Sequence, residues 1–463
     1  MTSEPEFSVA IPAWGSSAYI SDALGTLMQL EDPNLEVIVS VDPGSPDRDE
    51  TLALLHGISG GFFQIIEPSN PLSMAEHYEW CIANMRGRWV TILGADDGLL
   101  PWGLQLVRNV LRAEPNADAL MFRRCYYFWP GVEQEYGDTR VAASSENTVR
   151  VIDGSRAFQR ALMGGGEHFD LPQIYTNNFI RNDVIARIRE ASNGRVLHER
   201  NPDVYSGVAV AHFATRIIRC EIPAFWTGTS PSSMGLKQTR AIVGDSAVSL
   251  QSVRADFVEK SNSSGHVVAP EVGDELWLVA QDSPTYLLSA YLRFLGATGA
   301  SGSLRAARAL RLAFSATLGR MNSGRLKRGL GSASPLRKQA VKDLLRERAS
   351  ANGISWAGIV ISSLTSWKGL RTRLLFQRAG RRTARLLAGV KPRARYGAVR
   401  VTDPRSLQRL SDANTFIESV RETLLPGGIE VTSVEPFSAL MSRFITAGEQ
   451  SVLGRQRTRR TTT

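Results

Sequence analysis

Short apolar runs and helix-spaced apolar residues alternate along the first hundred residues of the chain. The runs are rich in Val, Ile and Phe, and they predict strands at 7–12, 35–41, 62–66 and 88–93. Between them, apolar residues three or four positions apart predict helices, the last of which lies at 74–85. Because such strands are joined by right-handed crossovers, the pattern predicts a parallel sheet flanked by helices.

Residues that could carry chemistry follow several of these strands. Residues 12–14 end the first strand, Asp42 closes the second, and Asp96 and Asp97 follow the fourth. Parallel strands present their carboxyl ends at one edge of a sheet, so these residues are expected to converge there. Paired carboxylates suit Mg²⁺ or Mn²⁺, which usually also binds a substrate phosphate. The alternative is an acidic turn, since Asp and Gly are ordinary turn residues.

Glycine-rich phosphate loops are absent from the sequence. No G-x-G-x-x-G follows the first strand, and no G-x-x-x-x-G-K-[ST] occurs anywhere in the chain. The sequence therefore lacks the main motif of a dinucleotide-binding protein and that of a P-loop protein. A nucleotide bound here would have its phosphates held by a metal rather than by a glycine cradle.

Three segments together resemble a known family. They read FSVAIPAW, VSVDPGSPD and NPLSMAEHYEWCIANMRGRWVTILGADDGLLP. In this order and spacing they resemble the nucleotide-binding half of family 2 glycosyltransferases, and the resemblance extends over about residues 7–235. It implies a GT-A fold, which is a Rossmann-like α/β fold with a mixed, mostly parallel sheet flanked by helices.

The resemblance also implies roles for individual residues. Pro12 and Trp14 would border the nucleotide base, and Asp42 would hydrogen-bond it. Asp96 would ligate a Mn²⁺ or Mg²⁺ ion that bridges the donor diphosphate, with Asp97 beside it as a second metal ligand. The predicted nucleotide-sugar site comprises Pro12, Ala13, Trp14, Asp42, Asn70, Asp96 and Asn178.

The chain departs from the family pattern at several of these motifs. Gly94 stands where the family usually has the first acid of D-x-D-D, and Pro43 replaces an acid after the second strand. Pro71 and Leu72 stand where the family usually has a turn glycine. Residues 225–233 contain neither the Arg nor the His that many relatives carry near the diphosphate. These departures bear on metal affinity more than on nucleotide binding.

The acceptor half contains the predicted catalytic base. Asp203 begins a helical apolar run and resembles the Asp of the family's "E-D" motif, which acts as base; the alternative is a helix-start acid stabilised by the helix dipole. Asn178 is predicted to contact the donor sugar or, alternatively, to be a turn asparagine. Arg123 and Arg124 lie on a predicted strand, where a solvated face is favoured over a phosphate contact. Glycines 164–166 suggest a lid.

Charge divides the chain near residue 231. Residues 1–230 hold 18 Arg, no Lys and 29 acidic residues, a net charge of −11, whereas the remainder holds 36 basic and 16 acidic residues, a net charge of +20. We therefore predict a GT-A domain followed by a basic, mainly helical region. The predicted divisions are 1–235 (nucleotide-sugar half 1–103, acceptor half 104–235), a connecting segment at 236–290, a basic helical domain at 291–450 and a disordered tail at 451–463.

The basic half has two amphipathic stretches, beginning at Leu304 and Leu370, with arginines beside the apolar positions. Such helices either lie on an anionic membrane or pack their apolar faces on the protein, and the second is commoner. Nucleic-acid binding is disfavoured because no recognised RNA module or aromatic platform appears. The three cysteines lack metal-type spacing, and the sequence contains no secretory signal or membrane-length apolar run. These features predict a cytoplasmic protein, with peripheral attachment to the inner face of the cell membrane as the alternative.

These features favour one function over two alternatives. The favoured function is an inverting, metal-dependent glycosyltransferase that moves a sugar, preferably from a UDP-sugar, to a hydroxyl of a glycan or lipid-linked acceptor in surface polysaccharide or glycolipid assembly. One alternative is a catalytically degenerate GT-A protein that binds or scaffolds. The other, less favoured, is a nucleotidyltransferase, because the loop after the first strand lacks Arg and Lys.

Overall fold

The computed structural model describes most of the first 233 residues and parts of the remainder. The described residues are 4–58, 61–162, 167–199, 201–233, 236, 283–300, 304–322, 342–343, 345–347, 349–360, 363, 399–403, 405–425, 428–429 and 434–436. The first half contains β1 (Phe7–Ala13), α1 (Ser17–Met28), β2 (Leu35–Val41), α2 (Arg48–Gly57), β3 (Gln64–Ile66), α3 (Met74–Asn84), β4 (Trp89–Ile92), β5 (Gly98–Leu99), α4 (Gly103–Ala113) and β6 (Ala119–Phe128). There follow α5 (Glu133–Tyr136), β7 (Val141–Ala143), β8 (Val149–Ile152), α6 (Gly154–Leu162), a 3-10 turn (His168–Asp170), β9 (Asn178–Arg181), α7 (Asn182–Ala191), α8 (Pro202–Phe213) and β10 (Ile217–Thr229). Beyond them lie α9 (Ser283–Ala297), α10 (Leu304–Asn322), β11 (Val399–Val401), α11 (Leu410–Ser419), α12 (Arg421–Leu424) and β12 (Val434–Pro436).

The strands form one mixed sheet in the order β12-β8-β10-β6-β9-β4-β1-β2-β3. Strands β3, β2, β1 and β4 are mutually parallel, as the alternating sequence pattern predicts. Strand β9 lies antiparallel between β4 and β6, and β10 runs parallel to β6. The predicted mixed, mostly parallel sheet flanked by helices is confirmed.

Burial on both faces explains why the central strands read as continuous apolar runs. Every residue of β2 is buried, and so are all but one of β1. Two hydrophobic cores result, one containing α8 and the other containing α1 and α4. The third strand begins later than predicted, at Gln64, because Phe62 and Phe63 pack against the core without pairing in the sheet.

Described segments of the second half join the same sheet and cores. Helices α9 and α10 pack on α6, and α9 also contacts α8. Strand β11 pairs with β7, and β12 pairs with β8. Helix α11 packs on α1, and Nε1 of Trp226 donates a hydrogen bond to Oδ1 of Asn414 over 3.1 Å. The domain divisions predicted at 235 and 291 stay predictions.

The basic amphipathic helix α10 packs its apolar face against the protein. Leu310, Phe314 and Leu318 are buried in the core, whereas Arg308 and Arg311 are exposed. For this helix the packing alternative is confirmed, since its apolar face is already covered. The stretch after Leu370 and the tail at 451–463 lie outside the described residues. Within the part of the chain that the structure describes, no helix is long and apolar enough to cross a bilayer.

The three cysteines are buried and unpaired. Burial raises the pKa of Cys81 and Cys220 to about 12 and raises that of Cys125 still further. None of these thiols is therefore an activated nucleophile.

Candidate active site

The carboxyl ends of β1, β2 and β4 meet at one edge of the sheet, which confirms the convergence predicted from the strand order. Ala13 and Val41 are paired in the last register position of β1 and β2, and the amide of Asp42 donates to the carbonyl oxygen of Ala13 over 3.3 Å. On the other side of β1, strand β4 leads directly to Asp96 and Asp97.

Asp42 braces two loops at this edge. It is buried, its Oδ1 accepts a hydrogen bond from the amide of Gly44 over 2.7 Å, and its Oδ2 accepts one from the amide of Leu72 over 2.9 Å. Of the other predicted nucleotide residues, Pro12 and Trp14 are half-buried and Asn70 is exposed. The structure therefore brings these residues to one rim, and their contacts with a base remain predictions.

Asp96 faces the site and is held from one side by β10 and the residues after it. The hydroxyls of Ser230 and Ser233 donate to its Oδ2 over 2.7 and 2.6 Å. The indole N–H of Trp129 donates to its backbone carbonyl oxygen over 2.9 Å. The carboxylate itself is half-buried. Two serines thus occupy the segment where the family pattern has Arg and His.

Asp97 points the other way, into the protein. Its Oδ2 accepts hydrogen bonds from the hydroxyl of Thr176 and the amide of Gly94, and its Oδ1 accepts one from the amide of Gly228 over 2.6 Å. Burial, together with the neighbouring charge of Asp96, raises the pKa of Asp97 to about 7. Asp97 therefore ties the turn after β4 to the segment before β9 and to the end of β10.

Gly94, where the family pattern has an acid, lies in a place without room for a side chain. A Cβ atom there would stand 2.5 Å from Oδ2 of Asp97 and 2.7 Å from the hydroxyl of Tyr175. Gly228 is confined even more, because its Cβ would stand 1.7 Å from the carbonyl oxygen of Asp96. The packing around Gly94 therefore excludes the acid that the family pattern has at this position. The Tyr175 hydroxyl occupies part of the space that its side chain would need.

The residues of this turn fit a divalent cation with a single protein carboxylate. Among the described residues, no group of three His, Cys, Asp or Glu side chains could hold a metal. Asp96 is accessible and its Oδ1 has no hydrogen-bond partner in the described part of the chain, whereas both oxygens of Asp97 are occupied. Mg²⁺ commonly uses one or two carboxylates and completes its coordination with phosphate and water. Geometry thus favours Asp96 as a metal ligand and argues against Asp97, which has an internal structural role.

Asp203 begins a buried helix, as the sequence predicts. Pro202 is the first residue of α8, and it is buried together with residues 204–211. Burial raises the pKa of the Asp203 carboxyl, while the amide of Val204 and the positive charge of Arg124 act in the opposite direction. Asp203 itself is half-buried, so part of the residue remains accessible to solvent.

Two stacked tyrosines link this carboxylate to the metal-side carboxylates. The rings of Tyr78 and Tyr175 lie 6.0 Å apart at an interplanar angle of 18°. Burial raises the pKa of both phenols, and the charges of Asp203, Asp96 and Asp97 raise it further in each case. The three carboxylates therefore lie within electrostatic reach of one pair of rings.

Sequence reasoning missed several residues of this site: Tyr78, Tyr175, Ser230 and Ser233. Their signals are weak, because a tyrosine in an amphipathic helix and serines after a strand are common. Arg124 is half-buried, and its guanidinium lies 3.8 Å from the ring centroid of Phe169. Asn178 is buried, and its amide donates to the carbonyl oxygens of Tyr175 and Thr176, which is the turn alternative; its sugar contact stays a prediction.

Comparison with known proteins agrees with this geometry. Residues 8–159 match the family model described as Glycosyl transferase family 2. This part of the chain is similar to glycosyltransferase family 2. The match contains β1 from Ser8 onward and the Asp96 turn, so it covers the sheet edge at which Asp42 and Asp96 lie. Together with the observed sheet, it confirms the predicted GT-A fold.

Two curated relatives resemble part of the chain. An uncharacterized glycosyltransferase of Rickettsia typhi is 29% identical over 121 residues, and one of Rickettsia prowazekii is 27% identical over 118 residues. Each match covers 26% of this chain, and the chain spans about a third (36%) of the length of these relatives.

Among solved structures, S. aureus TarS 1–349 in complex with UDP-GlcNAc is 16% identical, with a TM-score of 0.40, over 76% of this chain and 93% of that chain. The mannosyltransferase PcManGT from Pyrobaculum calidifontis, in complex with GDP-Man and Mn²⁺, is 15% identical, with a TM-score of 0.34, over 78% of this chain and 88% of that chain.

Proposed function

We propose that this protein is an inverting glycosyltransferase that moves a sugar from a nucleotide-diphosphate sugar to an acceptor hydroxyl. The observation that supports the proposal is that the charges of Asp203 and Asp96 both act on the stacked Tyr78–Tyr175 pair. A single displacement needs a base on one side of the sugar and stabilisation of the leaving diphosphate on the other. The family 2 match of residues 8–159 supports the same reaction class.

Asp203 is the proposed base. It accepts the proton of the acceptor hydroxyl as the oxygen attacks the anomeric carbon. Because burial raises its pKa, its carboxylate is a stronger base than an exposed aspartate. Asp203 lies in the first turn of α8, where the helix dipole favours a negative charge.

Asp96 is the proposed ligand of a Mn²⁺ or Mg²⁺ ion. Such an ion, when bound, would offset charge on the departing diphosphate. The protein's own contribution is to orient the Asp96 carboxylate through Ser230 and Ser233 and to fix its backbone through Trp129. Asp42, Pro12, Trp14 and Asn70 form the rim on which the nucleotide is proposed to lie.

Turnover of nucleotide sugars tests the proposal. Purified protein is incubated with UDP-, GDP- and dTDP-sugars and Mn²⁺, and released nucleoside diphosphate is measured with and without candidate glycan or lipid-linked acceptors. Asp203→Asn should lose at least about 100-fold in rate, as expected for a general base. Asp138→Asn, at an exposed position, is the matched control. NMR of the product should reveal an anomeric configuration opposite to that of the donor, and retention would refute the single displacement.

A second function has one observation in its favour. The packing around Gly94 leaves no room for the acid that the family pattern has there. Loss of this acid is expected in a catalytically degenerate protein that still binds nucleotide sugars. Nucleotide binding at Asp96 without turnover of any donor would favour this second function. For an active enzyme, surface polysaccharide or glycolipid assembly, on an anionic membrane face, is the setting that we propose by analogy.

A further inference from the structure

Arg124 has an environment that the proposed transfer does not yet explain. It is half-buried on β6, and its guanidinium lies 3.8 Å from the ring centroid of Phe169. Its neighbour Arg123 pairs with Glu146 and Glu221 at 3.3 and 3.5 Å. Arg124, by contrast, makes no ion pair with any carboxylate of the described residues. A half-buried guanidinium of this kind has unused capacity to bind an anion.

Phe169 leaves that capacity available. A guanidinium stacked on a ring keeps its N–H groups in its own plane, where they can donate to a phosphate or carboxylate in a bidentate manner. The Phe169 side of the pair is also open, since this residue is 46% exposed and is one of few large apolar side chains exposed in the described part of the chain. The pair therefore presents an apolar surface beside a set of charged donors.

The pair lies on the side of Asp203. The 3-10 turn that carries Phe169 contacts α8, the helix that begins beside Asp203. The charge of Arg124 acts on Asp203, which places the guanidinium within electrostatic reach of that carboxylate. Asp96 lies on the proposed diphosphate side, and its carboxylate accepts hydrogen bonds from Ser230 and Ser233, which follow β10.

We propose that Arg124 and Phe169 form an acceptor subsite that binds an anionic group close to the attacking hydroxyl. This inference rests on the proposed function, because it assigns the acceptor to the side of Asp203. The acceptor class is then a hydroxyl compound that carries a phosphate or a carboxylate. Phe169 covers the carbon skeleton of the acceptor, and Arg124 pairs with its charge.

Three small probes distinguish the sources of the anion. Glycerol 3-phosphate, glycerate and glycerol share a hydroxylated three-carbon skeleton and differ in their charged group. Each is titrated by saturation-transfer NMR into the full-length protein saturated with Mn²⁺ and the tightest-binding nucleoside diphosphate, so that the donor phosphate site is filled. At least one charged probe should bind at least about 10-fold more tightly than glycerol.

Matched variants locate the binding. Arg124→Gln should abolish the preference for a charged probe, whereas Arg123→Gln should keep it, and thermal unfolding verifies the fold of both. Should Arg124→Gln not fold, Phe169→Ala carries the test, with a several-fold loss of affinity for the charged probe expected.

Three results would overturn the subsite: equal affinity for the charged and neutral probes, an equal loss in Arg123→Gln, or weaker nucleotide binding in Arg124→Gln. The last of these would make Arg124 a diphosphate contact. If the wild type binds no nucleotide, the proposed function fails; if it binds nucleotide but prefers no charged probe, only the subsite fails.

Discussion

The backbone amide of Gly228 donates a hydrogen bond to Oδ1 of Asp97 over 2.6 Å, which joins the end of β10 to the turn after β4. The same close approach forbids a side chain at position 228, since its Cβ would stand 1.7 Å from the carbonyl oxygen of Asp96. The acidic turn is thus shaped by main-chain contacts as much as by its carboxylates.

Gly228→Ala is therefore expected to lower the free energy of unfolding by at least about 2 kcal/mol, because main chain has to move to admit the methyl group. Urea denaturation followed by circular dichroism measures the change. Gly25→Ala is the control, since its Cβ meets nothing within 4 Å in helix α1 and should stabilise by about 0.5–1 kcal/mol. Equal stability of the two variants would contradict the close packing.

Restoring the family's acid should damage this protein. Gly94→Asp brings a Cβ within 2.5 Å of Oδ2 of Asp97 and 2.7 Å of the Tyr175 hydroxyl. We expect a loss of about 2 kcal/mol or more in stability and weaker binding of nucleoside diphosphate. The double variant Gly94→Asp/Tyr175→Ala should recover part of the stability. A single variant as stable as wild type, with tighter Mn²⁺ binding, would argue against this explanation of the glycine.

The raised pKa of Asp97 predicts a pH dependence of stability. Between its ordinary value of 3.8 and its value of about 7 in the folded chain, the folded state holds a proton here that the unfolded state has lost. Stability from this residue therefore falls as the pH rises through that range. In EDTA, wild type should lose stability relative to Asp97→Asn by at most about 1.4 kcal/mol per pH unit. Urea melts that remain parallel at all pH values in that range would contradict the assignment.

Arg124 should set the acid limb of the pH–rate profile. Asp203 works as a base only when ionised, so the rate falls as the pH drops through its raised pKa. The positive charge of Arg124 lowers that pKa, and Arg124→Gln should therefore move the acid limb to higher pH. The profile of donor turnover measures the shift. Arg123→Gln, whose arginine pairs with Glu146 and Glu221, should leave the limb in place.

Periodicity and strand order were sufficient to predict the first part of the fold. The continuous apolar runs at 7–13 and 35–41 are buried on both faces, and they became β1 and β2 almost residue for residue. Strand order likewise predicts that residues 12–14, Asp42 and Asp96 share one edge, because parallel strands end together. The location of these residues follows from local pattern alone.

The orientation of the side chains could not be predicted in the same way. Asp96 and Asp97 are identical neighbours in sequence, and only contacts with Thr176, Gly228 and Ser230 direct one inward and the other outward. These partners lie 79 to 134 residues away along the chain.

The stacking of Arg124 on Phe169 also joins distant segments, and so does the pairing of β12 with β8. Periodicity carries no information about such long-range contacts.

Calorimetric titration with nucleoside diphosphates tests the central claim most directly. UDP, GDP and dTDP are titrated into wild type and Asp96→Asn, each with Mn²⁺ and with EDTA. The structure predicts Mn²⁺-dependent binding of at least one of them to wild type, a loss of about 10-fold or more in Asp96→Asn, and unchanged binding in Asp138→Asn. Binding that is indifferent to Mn²⁺ and to Asp96, or absent for all three nucleotides, would contradict a metal–diphosphate site at the end of β4.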